Sequence, residues 1–280
     1  MIKNKYYKIG NIKKRICLLA DIHYNKSYDL TLFTKIITNI KENKPDFICI
    51  PGDIADDSDI LRTNYKENLT KFIKDLAEIC PVLLVRGNHD EESYLTNRTP
   101  FLSSNEYYSE LDKNSNIYWL NNHSVIMNDI SFTGLELSYD YYHLKKHEDK
   151  EKFIKEIDAL TNIDTAKYNI LLTHSPVNTI TDLTINNSNN IKKFELVLSG
   201  HMHNGLVFSI FDGKGNRGWI GPYRNFLPKY AKGKTVKKIN NKEITLIVNG
   251  GVIKFSEHAP KILYHLNNIL YPCSIDYIDI

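Results

Sequence analysis

The chain has 280 residues, 42% of them apolar and 25% charged, with a formal net charge of +3 and a sequence pI near 8.4. These proportions exclude a disordered chain and fall short of the strongly basic balance of a dedicated nucleic-acid binder; they suit a folded domain with a sizeable core. No run reaches the ~18 apolar residues of a spanning helix, and the N-terminal MIKNKYYKIGNIKKR has no apolar stretch of the signal-peptide kind.

Taken along the chain, short Ile-, Val- and Leu-rich runs recur, and several end at a polar cluster. ICLLA (16–20) leads into Asp21-Ile22-His23, and FICI (47–50) into Pro51-Gly52-Asp53. VLLV (82–85) leads into Arg86-Gly87-Asn88-His89-Asp90, ILLT (170–173) into His174, and LVLS (196–199) into Gly200-His201-Met202-His203. Such runs read as buried strands. Between the first three lie helical patterns: Leu32, Phe33, Ile36, Ile37 and Ile40 share one face before Pro45, and Leu61, Tyr65, Leu69, Phe72, Ile73 and Leu76 do so before Pro81. Strand, helix, strand, helix, strand predicts βαβ units with parallel pairing.

Residues 116–137 (NIYWL, SVIMN, ISFTGLEL) read as short antiparallel strands, and Phe153, Ile154, Ile157 and Leu160 mark another helix. From 206 onward strand and turn alternate, with the Gly- and Lys-rich stretch 212–243 expected as a long surface excursion. No internal repeat or linker divides the chain, so one domain over 1–280 is expected. Cys17, Cys49, Cys80 and Cys273 form no CxxC pair and are expected as buried free thiols, which suits a reducing cytoplasm.

In open α/β sheets ligands bind beyond the carboxyl ends of the strands. Five strands here end in Asp21, His23, Asp53, Asn88, His174, His201 and His203, so the clusters are expected to converge. Nitrogen and oxygen donors suit Mn, Fe, Zn, Co or Ni, and the lack of cysteine argues against a structural zinc knot. Seven ligands exceed the need of one first-row ion, which implies two divalent transition-metal ions sharing a carboxylate. Two such ions bring about +4, Asp21 and Asp53 −2 and a bridging hydroxide −1, leaving about +1 to attract an anionic phosphate. Asn88 adds an oxygen without adding charge. His89, next along, could reach the phosphate as a transition-state stabiliser or leaving-group acid, with Asp56 or Asp90 holding its tautomer.

The ordered set D-x-H (21–23), G-D (52–53), G-N-H-D (87–90), the lone His174 and G-H-x-H (200–203) resembles the calcineurin-like metallophosphoesterases. The resemblance implies a four-layer α/β/β/α sandwich with mixed sheets and a metal-dependent phosphoesterase. It implies one metal on Asp21, His23, Asp53 and His203 and another on Asp53, Asn88, His174 and His201, with Asp53 bridging. It makes His89 the catalytic histidine and Asp56 the acid that pairs with it in some branches. Beyond 203, G-H-x-H-x-G, L-P-K-Y-x-x-G (227–233) and I-V-N-G-G (247–251) look like a bacterial phosphodiesterase branch, some of whose members act on lipid or cell-envelope precursors. Members often carry an N-terminal membrane anchor; residues 1–15 show none, so a cytoplasmic protein is expected, with peripheral membrane association left open.

The leading expectation is therefore phosphodiester hydrolysis by a metal-bridging hydroxide, most plainly on a phosphorylated small-molecule, nucleotide or lipid-linked substrate. Phosphomonoesterase or nucleotide pyrophosphatase activity on the same site is the alternative, and a non-catalytic binding module the remote one. His123, His143, His147, His258 and His265 read as surface or rim, as do Lys145 and Lys146. Tyr141 and Tyr142 read as packing, while Arg217, Arg224 and Lys229 could reach a substrate phosphate.

Overall fold

Two six-stranded mixed sheets, stacked face to face, carry the apolar runs. The computed structural model describes residues 2–26, 29–92, 103–143, 149–207, 216–222, 225–239, 242–253 and 272–280. The first sheet is built from β1 (Ile2–Lys8), β2 (Arg15–Leu18), β3 (Phe47–Pro51), β4 (Val82–Val85), β5 (Ile117–Trp119) and β12 (Cys273–Asp279), in the order β1-β12-β2-β3-β4-β5. The second contains β6 (Ser124–Met127), β7 (Ile130–Leu135), β8 (Tyr168–Thr173), β9 (Leu196–Ser199), β10 (Gly233–Ile239) and β11 (Lys242–Val248), in the order β10-β11-β9-β8-β7-β6.

The strand runs are apolar at every position because both faces are covered. In β2, Ile16 and Leu18 face the space between the sheets while Cys17 faces outward; in β3, Phe47 and Cys49 point in while Ile48 and Ile50 point out. β8 and β9 answer with Ile170, Leu172, Leu196 and Leu198 on the inner face. Phe47 and Phe132 meet across the sheets with ring centroids 4.9 Å apart. Outside the first sheet lie α1 (Thr31–Asn43), α2 (Lys66–Ala77) and α4 (Ser103–Asp112); outside the second lie α5 (Tyr139–His143), α6 (Lys150–Asp158) and α7 (Asp182–Asn187). Helices, two sheets and helices again make the expected four α/β/β/α layers.

Helix limits follow local chemistry. α1 stops where Lys44 turns left-handed (φ 48°) ahead of Pro45, whose ring disfavours a helical predecessor. Asp149 caps α6 by accepting from the Glu151 and Lys152 amides. All four cysteines are buried and unbridged.

Three expectations need correction, and one strand was not anticipated. The second helix begins at Lys66: Leu61 belongs to a separate 3-10 turn, Thr63 breaks the run with extended backbone (φ −107°, ψ 172°), and Tyr65 is 45% exposed. β5 is not antiparallel to its neighbours; it pairs parallel with β4, and the chain then crosses to the other sheet, where β6 and β7 form the antiparallel pair. The stretch 212–243 is not all excursion, because β10 pairs with β11 along seven residues. The basic N-terminus is a strand, β1, in parallel register with β12. No helix among the described residues is long and apolar enough to cross a membrane.

Candidate metal centre

β2, β3 and β4 run parallel in one sheet and β8 and β9 in the other, and the residues that follow all five strands meet. Several leave their strand through left-handed backbone: Asp21 (φ 50°), His23 (φ 45°), Asp53 (φ 52°), His201 (φ 69°) and His203 (φ 45°). Non-glycine residues rarely adopt this region, and clusters of them mark functional sites. The glycines beside them let the loops touch. A Cβ on Gly87 would stand 2.1 Å from Asp53 Oδ1, and one on Gly52 (φ 88°) 2.6 Å from the Gly87 amide nitrogen.

Donor atoms of Asp21, His23 and His203 lie within 4.8 Å of one another, and so do those of Asp53, His174 and His201. Asp53 Oδ2 stands between the two groups, 3.6 Å from His23 Nε2 and 3.0 Å from His174 Nε2. His201 Nδ1 is 3.1 Å from His174 Nε2, and the His201 amide donates to both oxygens of Asp21, at 2.9 and 3.0 Å.

Second partners settle which ring nitrogen faces inward. His174 Nδ1 donates to the Pro51 carbonyl (2.7 Å), His203 Nδ1 to the Ile253 carbonyl (2.9 Å) and His89 Nδ1 to the Asp56 carbonyl (2.8 Å). A carbonyl oxygen only accepts, so each Nδ1 carries a proton and it is Nε2 that faces the other way. His23 Nδ1 lies 3.1 Å from the Asp56 carboxylate, to the same effect.

Three buried atoms at the meeting point, His23 Nε2, Asp53 Oδ2 and Asn88 Oδ1, have no hydrogen-bond partner. Burying one such group without a partner is costly, and three acceptors converging without a donor suit cations. The donor set therefore fits a metal pair. Burial opposes charge on His89 and His174, yet the Asp53 carboxylate above all carries both up to about 9. Burial likewise opposes ionisation of Asp53, but His174, His89 and His23 hold its carboxyl well below the usual range.

Two expected supports of His89 are placed differently. Asp90 is fully buried and turned away from the imidazole: its carboxylate accepts from the amides of Asp53 (2.9 Å), Ala55 (3.1 Å) and Gly87 (2.8 Å) and from Tyr108 Oη (2.9 Å). It braces the loops after β3 and β4 instead. Asp56 meets His89 Nδ1 through its main chain, and its carboxylate lies against His23.

Sequence reasoning passed over Glu92 and underrated His143. Asn88 Nδ2 donates to Glu92 Oε1 (2.9 Å), and His143 Nε2 lies 2.8 Å from that same oxygen. Burial opposes the charge on Glu92, but His143 first, then His89 and Asn88, bring its carboxyl down to about 2. The signal available was spacing: Glu92 is four residues beyond Asn88 in the turn α3 (Asn88–Glu91). Tyr142 is buried with its ring 5.5 Å from that of His201, so it walls the pocket as well as packing. Arg217 is exposed and donates to the Leu227 carbonyl (3.4 Å). Lys145, Lys146, His147, Arg224, His258 and His265 lie outside the described residues.

A family profile described as calcineurin-like phosphoesterase matches residues 14–205. An uncharacterised metallophosphoesterase of Campylobacter jejuni is 28% identical over 212 residues, 74% of this chain and 49% of its own. A component of the nuclease SbcCD from Staphylococcus saprophyticus is 25% identical over 263 residues, 85% of this chain and 65% of its own. The chain thus spans about half the length of the first of these relatives. A solved dimetal phosphatase from Danio rerio aligns with 88% of this chain and 90% of its own at 11% identity, with a TM-score of 0.44.

Proposed function

Since the chain belongs to the calcineurin-like phosphoesterase family, we propose that it is a dinuclear-metal-dependent phosphodiesterase. The observation that carries this reading is the Asp53 carboxylate: Oδ2 has no hydrogen-bond partner and stands 3.6 and 3.0 Å from histidine nitrogens of two different ligand groups. Asp21, His23, Asp53 and His203 would hold one ion, and Asp53, Asn88, His174 and His201 the other. A divalent pair supplies Lewis acidity and lowers the pKa of a water towards ~7; manganese is the first ion to try among Mn, Fe, Zn, Co and Ni.

The remaining work falls to the chain. With Nδ1 tied to the Asp56 carbonyl, His89 offers Nε2 to a phosphoryl or leaving-group oxygen and stabilises charge or delivers a proton there. Asp56 keeps His23 in the tautomer that faces the pocket. Neutral Asn88 keeps the centre's charge positive enough to accept an anion. The diester preference is supported by the name of one relative, part of a nuclease, because nucleic-acid cleavage is phosphodiester chemistry. A nucleotide or lipid-linked phosphodiester in the cytoplasm, acted on by one domain spanning 1–280, completes the reading.

The test is a substrate panel run with each metal in turn: aryl phosphodiester, aryl phosphomonoester, cyclic nucleotide, nucleotide-linked sugar and nucleotide-linked lipid. Metal-dependent turnover highest on diesters is expected. Turnover confined to monoesters or pyrophosphates would redirect the substrate class. Protein that retains no metal and hydrolyses nothing after Mn²⁺ is added would remove the enzymatic reading.

A further inference from the structure

Asn88 is the only proposed ligand whose two side-chain ends are nearly the same shape and opposite in polarity. With Oδ1 inward it presents a lone pair to a cation; turned over, it presents an N–H dipole that repels one. Something must select between these states, and among the described residues the atom that does so is Glu92 Oε1. A carboxylate only accepts, so facing it obliges the amide to turn Nδ2 towards it, at 2.9 Å, and Oδ1 the opposite way. Oδ1 is the buried end without a hydrogen-bond partner.

Glu92 is itself held. It is 2% exposed, its amide donates to the Asn88 carbonyl (3.0 Å), and its carbonyl accepts from the Ser58 amide (2.8 Å), which ties α3 to the loop that follows Asp53. His143 comes from α5, which packs outside the other sheet, and places Nε2 2.8 Å from Oε1, an ion-pair contact outside hydrogen-bond geometry. Its ring stacks on Tyr139 with centroids 4.1 Å apart. The carboxylate's charge stands one residue behind the neutral ligand, where it polarises the amide oxygen without entering the coordination shell. Groups that orient a metal ligand in this way are typically worth ~10–100-fold in metal affinity.

We propose that Glu92 is a positioning residue that locks the Asn88 amide with its oxygen towards the metal pair, and that His143 holds Glu92 in that role. The inference rests on the dinuclear reading above. Its test reads metal binding rather than turnover: calorimetric titration of the full, metal-free chain with Mn²⁺. In Glu92→Gln one of two sites weakens by ~10–100-fold while the other is unchanged, since an amide at 92 accepts either orientation of Asn88. His143→Ala weakens the same site by less. In an Asn88→Asp background the sign reverses. Two carboxylates then oppose each other, and Glu92→Gln supplies the missing donor and raises affinity at that site. A variant that merely damaged the fold would lower affinity in both backgrounds. Equal Mn²⁺ affinity in the wild-type chain and Glu92→Gln, or a loss in both backgrounds, overturns the inference while leaving the dinuclear site standing. If Asn88→Ala keeps both Mn²⁺ sites intact, the ligand assignment fails and the inference with it.

Discussion

The backbone amide of Asp53 donates to the carboxylate of Asp90 at 2.9 Å. The residue proposed to bridge the metals is thus hung from the loop after the neighbouring strand, by a side chain that is not itself a proposed ligand. Asp90 also accepts from Ala55, Gly87 and Tyr108, so Asp90→Ala strips four buried donors of their acceptor at once. Each such loss costs about 1–3 kcal/mol, partly relieved by relaxation and by removal of a buried carboxylate beside Asp53, so a total destabilisation of roughly 3–5 kcal/mol is expected. Urea unfolding measures it; a midpoint within error of wild type would show that these loops stand without the brace.

His89 has its Nδ1 on a main-chain carbonyl and, although a ring nitrogen lies within 4.8 Å of donor atoms of His23 and Asp56, it is not one of the proposed ligands. His89→Ala is expected to keep its metal content by elemental analysis and to lose about 10²–10⁴-fold in turnover, the range of a positioned acid or base. Unchanged turnover with full metal content would remove His89 from the chemistry.

The loops meet at Gly87, where an added Cβ would stand 2.1 Å from Asp53 Oδ1 and 2.6 Å from the Asp53 amide. Both contacts are with the residue the two metals would share. Gly87→Ala is expected to reduce Mn²⁺ binding below one ion per chain in equilibrium dialysis, with the helical circular-dichroism signal retained. Two ions still bound would mean that the loop gives way without moving Asp53.

The cysteines predict a pH effect. Burial pushes the thiols of Cys17 and Cys49 well up, and that of Cys80 to about 12. Unfolded thiols ionise near ~8.5 while these stay protonated in the fold. Their contribution is complete below that value and is lost as pH rises between the unfolded and folded values, by about 1.4 kcal/mol per pH unit for each thiol. The native chain should resist an aromatic disulfide reagent at pH 8 and react at four sites once denatured, in line with its four buried, unbridged cysteines. A triple alanine variant at 17, 49 and 80 should lose less stability between pH 8 and 10 than the parent; an equal loss would place the alkaline sensitivity elsewhere.

Strands buried on both faces were legible because each is a short, unbroken apolar run between polar clusters. β1 and β12 were not: KNKYYK and SIDYID mix charged and apolar residues with neither an unbroken apolar run nor a strict alternation, and they pair across more than 260 residues, which no local window contains. The start of α2 was misread because Leu61 and Tyr65 keep the helical spacing although Thr63 breaks the backbone between them. Periodicity reports which residues are apolar, not whether the chain between them is continuous.

For the site, the order and types of Asp21, His23, Asp53, Asn88, His174, His201 and His203 were fixed by sequence alone, since each follows a strand recognisable by itself. What each side chain does once there was decided by contacts between loops distant in sequence. Asp90 sits beside His89 in the chain, yet the turn of α3 sends the two side chains apart, one to backbone amides of the neighbouring loop and the other to the Asp56 carbonyl. His143, 55 positions beyond Asn88, reaches the same carboxylate oxygen as that amide because the second sheet packs its own loops against those of the first. Hydrogen bonds act over about 3 Å whatever the separation along the chain, so residue roles set by them appear only when the chain is folded.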